Sequence, residues 1–312
     1  MAAITGTSSS YSVGSGGGNR EDLADVIYDL FADETFLTSN LDRAGASSTL
    51  TEWLGDTLAS AASNINIEGD DATFSTIANP SRFGNYTQIV RKTFLVSGTQ
   101  EVVNKAGRRS EISRQAMKQM REAKNDFEWA LVRNQAGTAG GTATGRALAS
   151  VETWIGEATT SGGSTAANVV RATTTASATT PAVTSGVPGT APTDGSTTGA
   201  LTAGSLDAAL QGAWEDGGNT DVILVSASVK NTINTFSGVA QRNVDVGRRQ
   251  QAVITGAADM YVSNYGVHRI VLHRHARTSV ALCLDLDLWS IGVLRDWRLE
   301  KLAKTGDGEK RQ

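Results

Sequence analysis

Between residues 111 and 135 the apolar positions follow a helical period. Ile112, Ala116, Met120, Ala123, Phe127 and Leu131 recur at three- and four-residue spacings along one face. Ser110 stands where an N-cap belongs, and Gly137 lies just past the last turn, where a left-handed residue closes a helix. The pattern predicts one helix of roughly 37 Å at about 1.5 Å per residue. Directly before it the period changes. Residues 86–97 are rich in β-branched and aromatic side chains (Tyr86, Thr87, Ile89, Val90, Thr93, Phe94, Val96) that do not alternate cleanly with polar ones, so both faces of this strand are partly covered. It reads as the return strand of a two-stranded excursion whose tip is Asn79-Pro80-Ser81-Arg82-Phe83-Gly84-Asn85. A lone hairpin is marginal in water, so neighbouring copies of the chain are expected to supply the missing cover. That points to an assembly protein rather than an enzyme.

Upstream, residues 1–18 are Ser- and Gly-rich with almost no apolar content, whereas Asn19 caps an expected short helix with a stripe of Leu23, Val26, Ile27, Leu30 and Phe31. Glu21, Asp22 and Asp25 sit at its positive end, and the helix reads as an arm. Downstream, Leu148, Val151, Trp154 and Ile155 suggest a further helix within 141–156. Residues 159–204 form a Thr/Ser/Ala/Gly tract with Arg171 and Asp194 as its only charges, read as loops or solvent-facing strands, or else as linker. Ser205 caps an expected helix carrying Leu206, Leu210 and Trp214 and ending at Gly217-Gly218. A strand over 221–226, a helix over 227–236, a hairpin of 260–263 with 267–272 around Asn264-Tyr265-Gly266, and strands at 280–284 and 288–294 complete a mixed α+β pattern. The last strand is expected to return to the lobe of the long helix.

Composition narrows the compartment more than the fold. The chain has 312 residues, 39% of them hydrophobic, enough for a sizeable core in one compact two-lobed unit. Its 33 glycines against 4 prolines suit a loop-rich chain, and the single Cys283 excludes an intrachain disulfide framework and fits a reducing compartment. No charged segment followed by an apolar core opens the chain, and no apolar run approaches the roughly 18 residues of a membrane helix. A soluble, unexported protein is expected.

Several segments together resemble one group of tailed-bacteriophage major capsid proteins. They are Glu68-Gly69-Asp70-Asp71-Ala72-Thr73, then Arg82-Phe83-Gly84-Asn85-Tyr86-Thr87-Gln88-Ile89, then Val96-Ser97-Gly98-Thr99-Gln100-Glu101. Glu21 to Tyr28, Thr51-Glu52-Trp53 with Asp56-Thr57-Leu58, Arg242-Asn243-Val244-Asp245 and Leu302-Ala303-Lys304-Thr305-Gly306-Asp307 extend the likeness over most of the chain apart from a variable middle. The resemblance implies the α+β Hong Kong 97-like capsid fold. Its parts would be an N-terminal arm and helix over 1–60, an extended β-hairpin loop over 61–98, and a peripheral domain with the spine helix over 99–139 and 286–312. An axial domain over 140–285 would carry the insertion 159–204. The family usually has another strand after the Lys304–Asp307 region, whereas this chain stops at Gln312, which leaves the whereabouts of that strand open. The resemblance also implies self-assembly into pentamers and hexamers of an icosahedral head around double-stranded DNA, bound without sequence preference. Portal and scaffold or decoration proteins would be further partners, with the virion as final location and the host cytoplasm as the site of assembly. An encapsulin-like compartment shell is the alternative within the same fold, and a surface adhesin, suggested by the Ser/Thr tract, the alternative from another class.

Candidate chemistry is sparse, and neither a cofactor nor a metal is expected. His268, His273 and His275 with Asp285 and Asp287 could be imagined as a metal cluster, but the carboxylates belong to a different segment, and ordinary surface histidines are the simpler reading. Residues 140–146 mimic a phosphate loop, yet Arg146 and Ala147 replace the required lysine and hydroxyl. Cys283, between Leu282 and Leu284, reads as a buried small hydrophobe. Some capsids of this fold crosslink a loop lysine, and Lys92 is in the corresponding loop, with nothing else to support the chemistry. The six tryptophans are scattered and read as separate packing anchors. Arg82 and Phe83, adjacent at an expected exposed turn, have the composition of interface anchors, and Tyr86 and Arg91 are grouped with them as inter-subunit contacts. The formal charge is −4, but residues 105–124 hold seven cations against Glu111 and Glu122, a local +5 that leaves −9 elsewhere. Arg114, Lys118 and Arg121 share one helix face away from the apolar stripe and are the DNA-facing candidates, with a solvated face as the bland account.

Overall fold

A computed structural model describes residues 26–28, 34–56, 58–59, 61–71, 74, 76–77, 79–155, 185–192, 201–236, 260–304 and 306–312. The first half contains α1 (Phe36–Asn40), β1 (Asp42–Gly45), β2 (Leu50–Gly55), β3 (Ser81–Tyr86), β4 (Phe94–Ser97), α2 (Gly98–Val102), the long helix α3 (Glu111–Val132) and α4 (Val151–Trp154). The second half contains α5 (Ala203–Glu215), β5 (Val222–Val225), α6 (Ala227–Ile233), β6 (Met260–Ser263), β7 (Gly266–Leu272) and β8 (Ala281–Leu284). A 3-10 turn (Leu286–Leu288), β9 (Ser290–Val293) and β10 (Gly308–Arg311) follow.

The chain divides into two units. The larger takes in Asp33–Lys92 and Arg121–Arg298; the smaller has Thr93–Met120, Leu299–Gln312 and, among the described residues upstream, 26–28. The larger is organised by a mixed sheet in the order β6-β7-β5-β8, with β5 parallel to β7 and antiparallel to β8. All four residues of β5 are buried because both faces of that strand are covered. Ile223 and Val225 pack with Leu206 and Leu210 of α5 and Val229 and Ile233 of α6. Leu224, one residue out of phase, packs instead with Leu131 and Val132 of α3, Leu148, Val151, Leu282 and Leu284. Two smaller pairs, β1 parallel to β9 and β2 antiparallel to β3, complete this unit. In the smaller unit β4 pairs antiparallel with β10.

Several sequence expectations change. Of the strand expected over 86–97 only the ends are strand, Tyr86 as the last residue of β3 and residues 94–97 as β4, while most of its supposed tip belongs to β3, whose partner is β2. Helix α3 ends at Val132, and Gly137 does not close it. Its φ is not positive; glycine is needed there because a Cβ would collide with Val187, and the Gly137 N–H donates to the Pro188 carbonyl at 2.8 Å. The helix expected within 141–156 shrinks to α4, because the left-handed Gly140 and a Thr138–Ala147 bridge turn the preceding residues into a tight loop. Thr202, not Ser205, caps α5; Ser205 is its capping-box partner. The strand that the resemblance places after the Lys304–Asp307 region, and whose whereabouts the sequence leaves open, lies within this chain as β10. Residues 19–25 and 29–31 of the expected arm helix lie outside the described residues, and 26–28 are not helical. The tract 159–204 falls outside them too, except for 185–192 and 201–204.

Candidate assembly surface

β2 and β3 form a hairpin whose ends are joined by residues 56–80, a connection with no helix or strand among its described residues. Its apolar side chains face out: Leu58, Ile65, Ile67, Phe74 and Ile77 are between 80% and 99% exposed. A turn at its middle is fixed by left-handed Gly69, with the Asp70 N–H donating to the Ile67 carbonyl at 3.1 Å.

The root of the hairpin is anchored twice. On one side Trp53 lies 5.2 Å from Trp154, and Phe83 meets Trp154 edge-on at 6.4 Å. Two of the six tryptophans therefore share a cluster. Gly55 leaves room for the Phe83 ring, which a Cβ there would strike. On the other side, Asn85 bonds both backbone groups of Ala149, accepting from its N–H at 2.8 Å and donating to its carbonyl at 3.0 Å. Gln88 Oε1 accepts from Gln135 Nε2 at 2.6 Å and from the Leu148 N–H at 3.3 Å, while the Ser150 hydroxyl accepts from the Gln135 N–H. The hairpin root is thus held rigidly while the connection it presents is bare.

Phe83 accordingly works within its own chain rather than at an idle turn, and Tyr86 is half-buried at the end of β3. The Arg82 side chain is 70% exposed, 3.9 Å from Glu52, and Arg91 is exposed. Lys92 is paired with Asp126 at 2.6 Å; the hydrogen bond from that carboxylate raises its pKa above the ordinary lysine value. In the segment expected to form an arm, Val26 and Tyr28 are exposed, and Ile27 lies against left-handed Gly107, where a Cβ would meet it. Leu23, Leu30 and Phe31 fall outside the described residues.

The basic segment is partly consumed by local structure. Lys105 donates to the carbonyls of Gln100, Glu101 and Val103, and Arg108 and Arg114 both pair with Glu111. Burial pushes the Glu111 carboxyl up, but the bonds from Gln115 and Arg108 outweigh it and leave the pKa below the ordinary value. Lys118 is half-buried and Arg121 exposed.

Two of the three histidines, His268 and His273, are buried, and His275 is half-buried. His268 is buried, with Nδ1 donating to the Thr220 carbonyl at 2.6 Å and Nε2 2.7 Å from Ser263 Oγ. His273 meets Glu128, a carboxylate of 0% exposure that sequence reading passed over. Thr35 makes no side-chain cap to α1; Glu128 does that work instead, accepting from the N–H groups of Leu37 (2.7 Å) and Thr38 (2.9 Å), the Thr38 hydroxyl (2.5 Å) and His273 Nε2 (3.1 Å). Since His273 Nδ1 accepts from the His275 N–H, the ring proton lies on Nε2. Desolvation pushes the Glu128 pKa up, but these bonds prevail and hold it below the ordinary carboxylate value. Burial pushes the Cys283 thiol up to about 12, which leaves it unreactive. The carboxylates of Asp221, Asp285 and Asp287 cluster, but without a histidine and in exposed or half-buried positions. No helix among the described residues is long and apolar enough to cross a membrane.

No curated protein matches the chain. Among solved structures it is similar to the capsid structure of the cyanophage P-SCSP1u, at 14% identity with a TM-score of 0.48, covering 99% of this chain and 93% of that one. The family model described as SU10 major capsid protein matches residues 3–312, nearly the whole length. The chain therefore belongs to the SU10 major capsid protein family and is a bacteriophage capsid subunit.

Proposed function

We propose that this subunit closes an icosahedral head around double-stranded DNA by reaching across each ring with the connection 56–80, in the manner of the Hong Kong 97-like fold. The larger part of 33–92 then serves as the extended loop, α3 as the spine, and the sheet β6-β7-β5-β8 as the core of an axial domain. One observation carries the reading: five large apolar side chains stand bare on a connection whose root is clamped by Trp53, Phe83, Trp154, Asn85 and Gln88. Exposed apolar clusters of this kind mark surfaces awaiting a partner, and a capsid subunit's partner is another copy. Arg82 and Arg91 flank the contact as polar rim, while Val26 and Ile27, with Leu23, Leu30 and Phe31, form a second contact through the arm. Arg114, Lys118 and Arg121 face the DNA, whose weak, sequence-blind contact suits a genome that must leave. Portal and scaffold or decoration proteins complete the head. Nothing in the family match favours a cellular compartment shell or an adhesin.

Electron microscopy of the purified chain tests the reading. Closed shells are expected, and monodisperse monomers would sink it. Replacing Leu58, Ile65, Ile67, Phe74 and Ile77 together by serine should leave the subunit folded yet abolish shells, since losing an anchoring side chain costs about 2 kcal/mol or more.

A further inference from the structure

A cleft of about 490 Å³ lies beside α1, the start of β1 and Lys124 of α3. Its lining includes Arg43 and Lys124, the hydroxyl residues Thr35 and Ser39, and Asp42. Neither Arg43 nor Lys124 has an ion-pair or hydrogen-bond partner among the described residues, whereas Lys105, Arg108 and Arg114 of the same basic segment are all engaged. The Thr35 and Ser39 hydroxyls lie 3.3 Å apart and exposed, so their remaining bonding capacity faces solvent. A polar cleft of this kind does not suit an apolar ligand. Two unspent cations and two hydroxyls around one concavity complement a phosphate, which accepts charge-assisted bonds from both cations at once. Asp42 reduces the local charge to +1, so such a contact is weak and reversible.

We propose that this cleft is a phosphate subsite that takes the DNA backbone, and that it, rather than the face led by Arg114, is the principal point of contact. The inference rests on the reading of the subunit as facing packaged DNA. Phosphate is the shared chemistry of two sources, the DNA backbone and free inorganic phosphate, and the test separates them. The unassembled full-length chain is titrated with a 30-base-pair duplex and, separately, with inorganic phosphate, for the parent, Arg43→Gln, Lys124→Gln and Arg114→Gln. Each of the first two variants should weaken duplex binding several-fold and lower the slope of log affinity against log salt by about 0.9. Arg114→Gln, on the helix face that the proposed function gives to DNA, should weaken duplex binding less than either cleft variant does. If phosphate binding depends on Arg43 and Lys124 while duplex binding does not, the site stands and its ligand is the free ion, which overturns the DNA assignment. If duplex binding falls with Arg114→Gln but with neither cleft variant, the cleft is wrong and the DNA-facing helix stands. If the parent binds no duplex, the DNA-facing reading fails, and phosphate binding alone decides whether the cleft is a site. Unchanged binding of both probes in both cleft variants overturns the proposal.

Discussion

The two units of this chain are stabilised by different means. The larger contains both hydrophobic clusters, with Leu37, Leu210, Ile223, Leu224 and Ile233 almost wholly out of water. The smaller buries one apolar side chain, Val96, among its described residues, and leaves Leu95, Val102, Val103, Met117, Met120 and Leu299 exposed. Its order comes from polar devices at chain ends and turns. Asp307 accepts from the N–H and hydroxyl of Thr99 at the start of α2, and Ser97 caps the same helix. Glu101 accepts from the Glu111 N–H at the start of α3, and Lys105 covers the carbonyls at the end of α2. Caps contribute about 1 kcal/mol each, far less than a packed core. The larger unit is held by its cores, and the smaller by caps and turn bonds with much of its apolar surface left open.

The comparison breaks most sharply at the larger unit's core. Leu224→Ala should destabilise the unassembled subunit by about 3 kcal/mol, measured by denaturant unfolding, because Leu224 sits between β8 and the end of α3 with no exposure. A loss no larger than that of a surface substitution would show that the larger unit does not carry the stability. Glu128→Gln should cost about 2 kcal/mol, since it removes the charge from bonds that four donors make. The pH dependence has a definite sign. Because folding lowers the Glu128 pKa, its contribution is complete above the ordinary carboxylate value and is lost as pH falls through the folded one. Stability measured against pH should therefore decline less steeply below about pH 4.5 in Glu128→Gln than in the parent. Parallel acid limbs would remove Glu128 from the account.

How far the sequence reveals this depends on whether a feature is local. Helices α3 and α5 and the β6–β7 hairpin follow from period and turn chemistry within each segment, and their bounds shift by only a few residues. Partners distant in sequence are another matter. Residues 86–97 have strand propensity throughout, but β3 pairs with β2, some 30 residues upstream, and β4 pairs with β10, more than 200 downstream. Propensity does not name a partner. The segments that carry the family resemblance, by contrast, turn out to be each other's partners: Thr51, Glu52 and Trp53 pair with Asn85, Gly84 and Phe83, and Gly98 and Thr99 are bonded by Asp307. Glu128 left a signal that went unread, for it stands three residues before Leu131 and next to Phe127, a carboxylate inside an apolar stripe. Such a group must find donors when buried, and His273 and α1 provide them.

Within the smaller unit the expected effects are lesser and more local. Asp307→Ala removes two bonds to α2 and should cost about 1 kcal/mol, read as faster hydrogen exchange at the Thr99 amide with little change in global unfolding. A large fall in global stability would mean that the smaller unit is a core element after all.

The smallest effect on the free subunit should come from Leu95→Ser. Leu95 lies on β4 opposite Lys310, is 62% exposed and packs into neither cluster, so its loss should change the stability of the unassembled chain by less than about 0.5 kcal/mol. In assembled shells the same substitution should matter more, because a side chain covered by a second copy is removed from water only there. Heating shells and subunits of the parent and variant side by side measures the difference directly. A lower melting temperature of the shell with an unchanged subunit is the expected pair of results. Equal shifts in both would mean that Leu95 supports its own chain, and no shift in either would mean that this face of the smaller unit stays bare in the capsid.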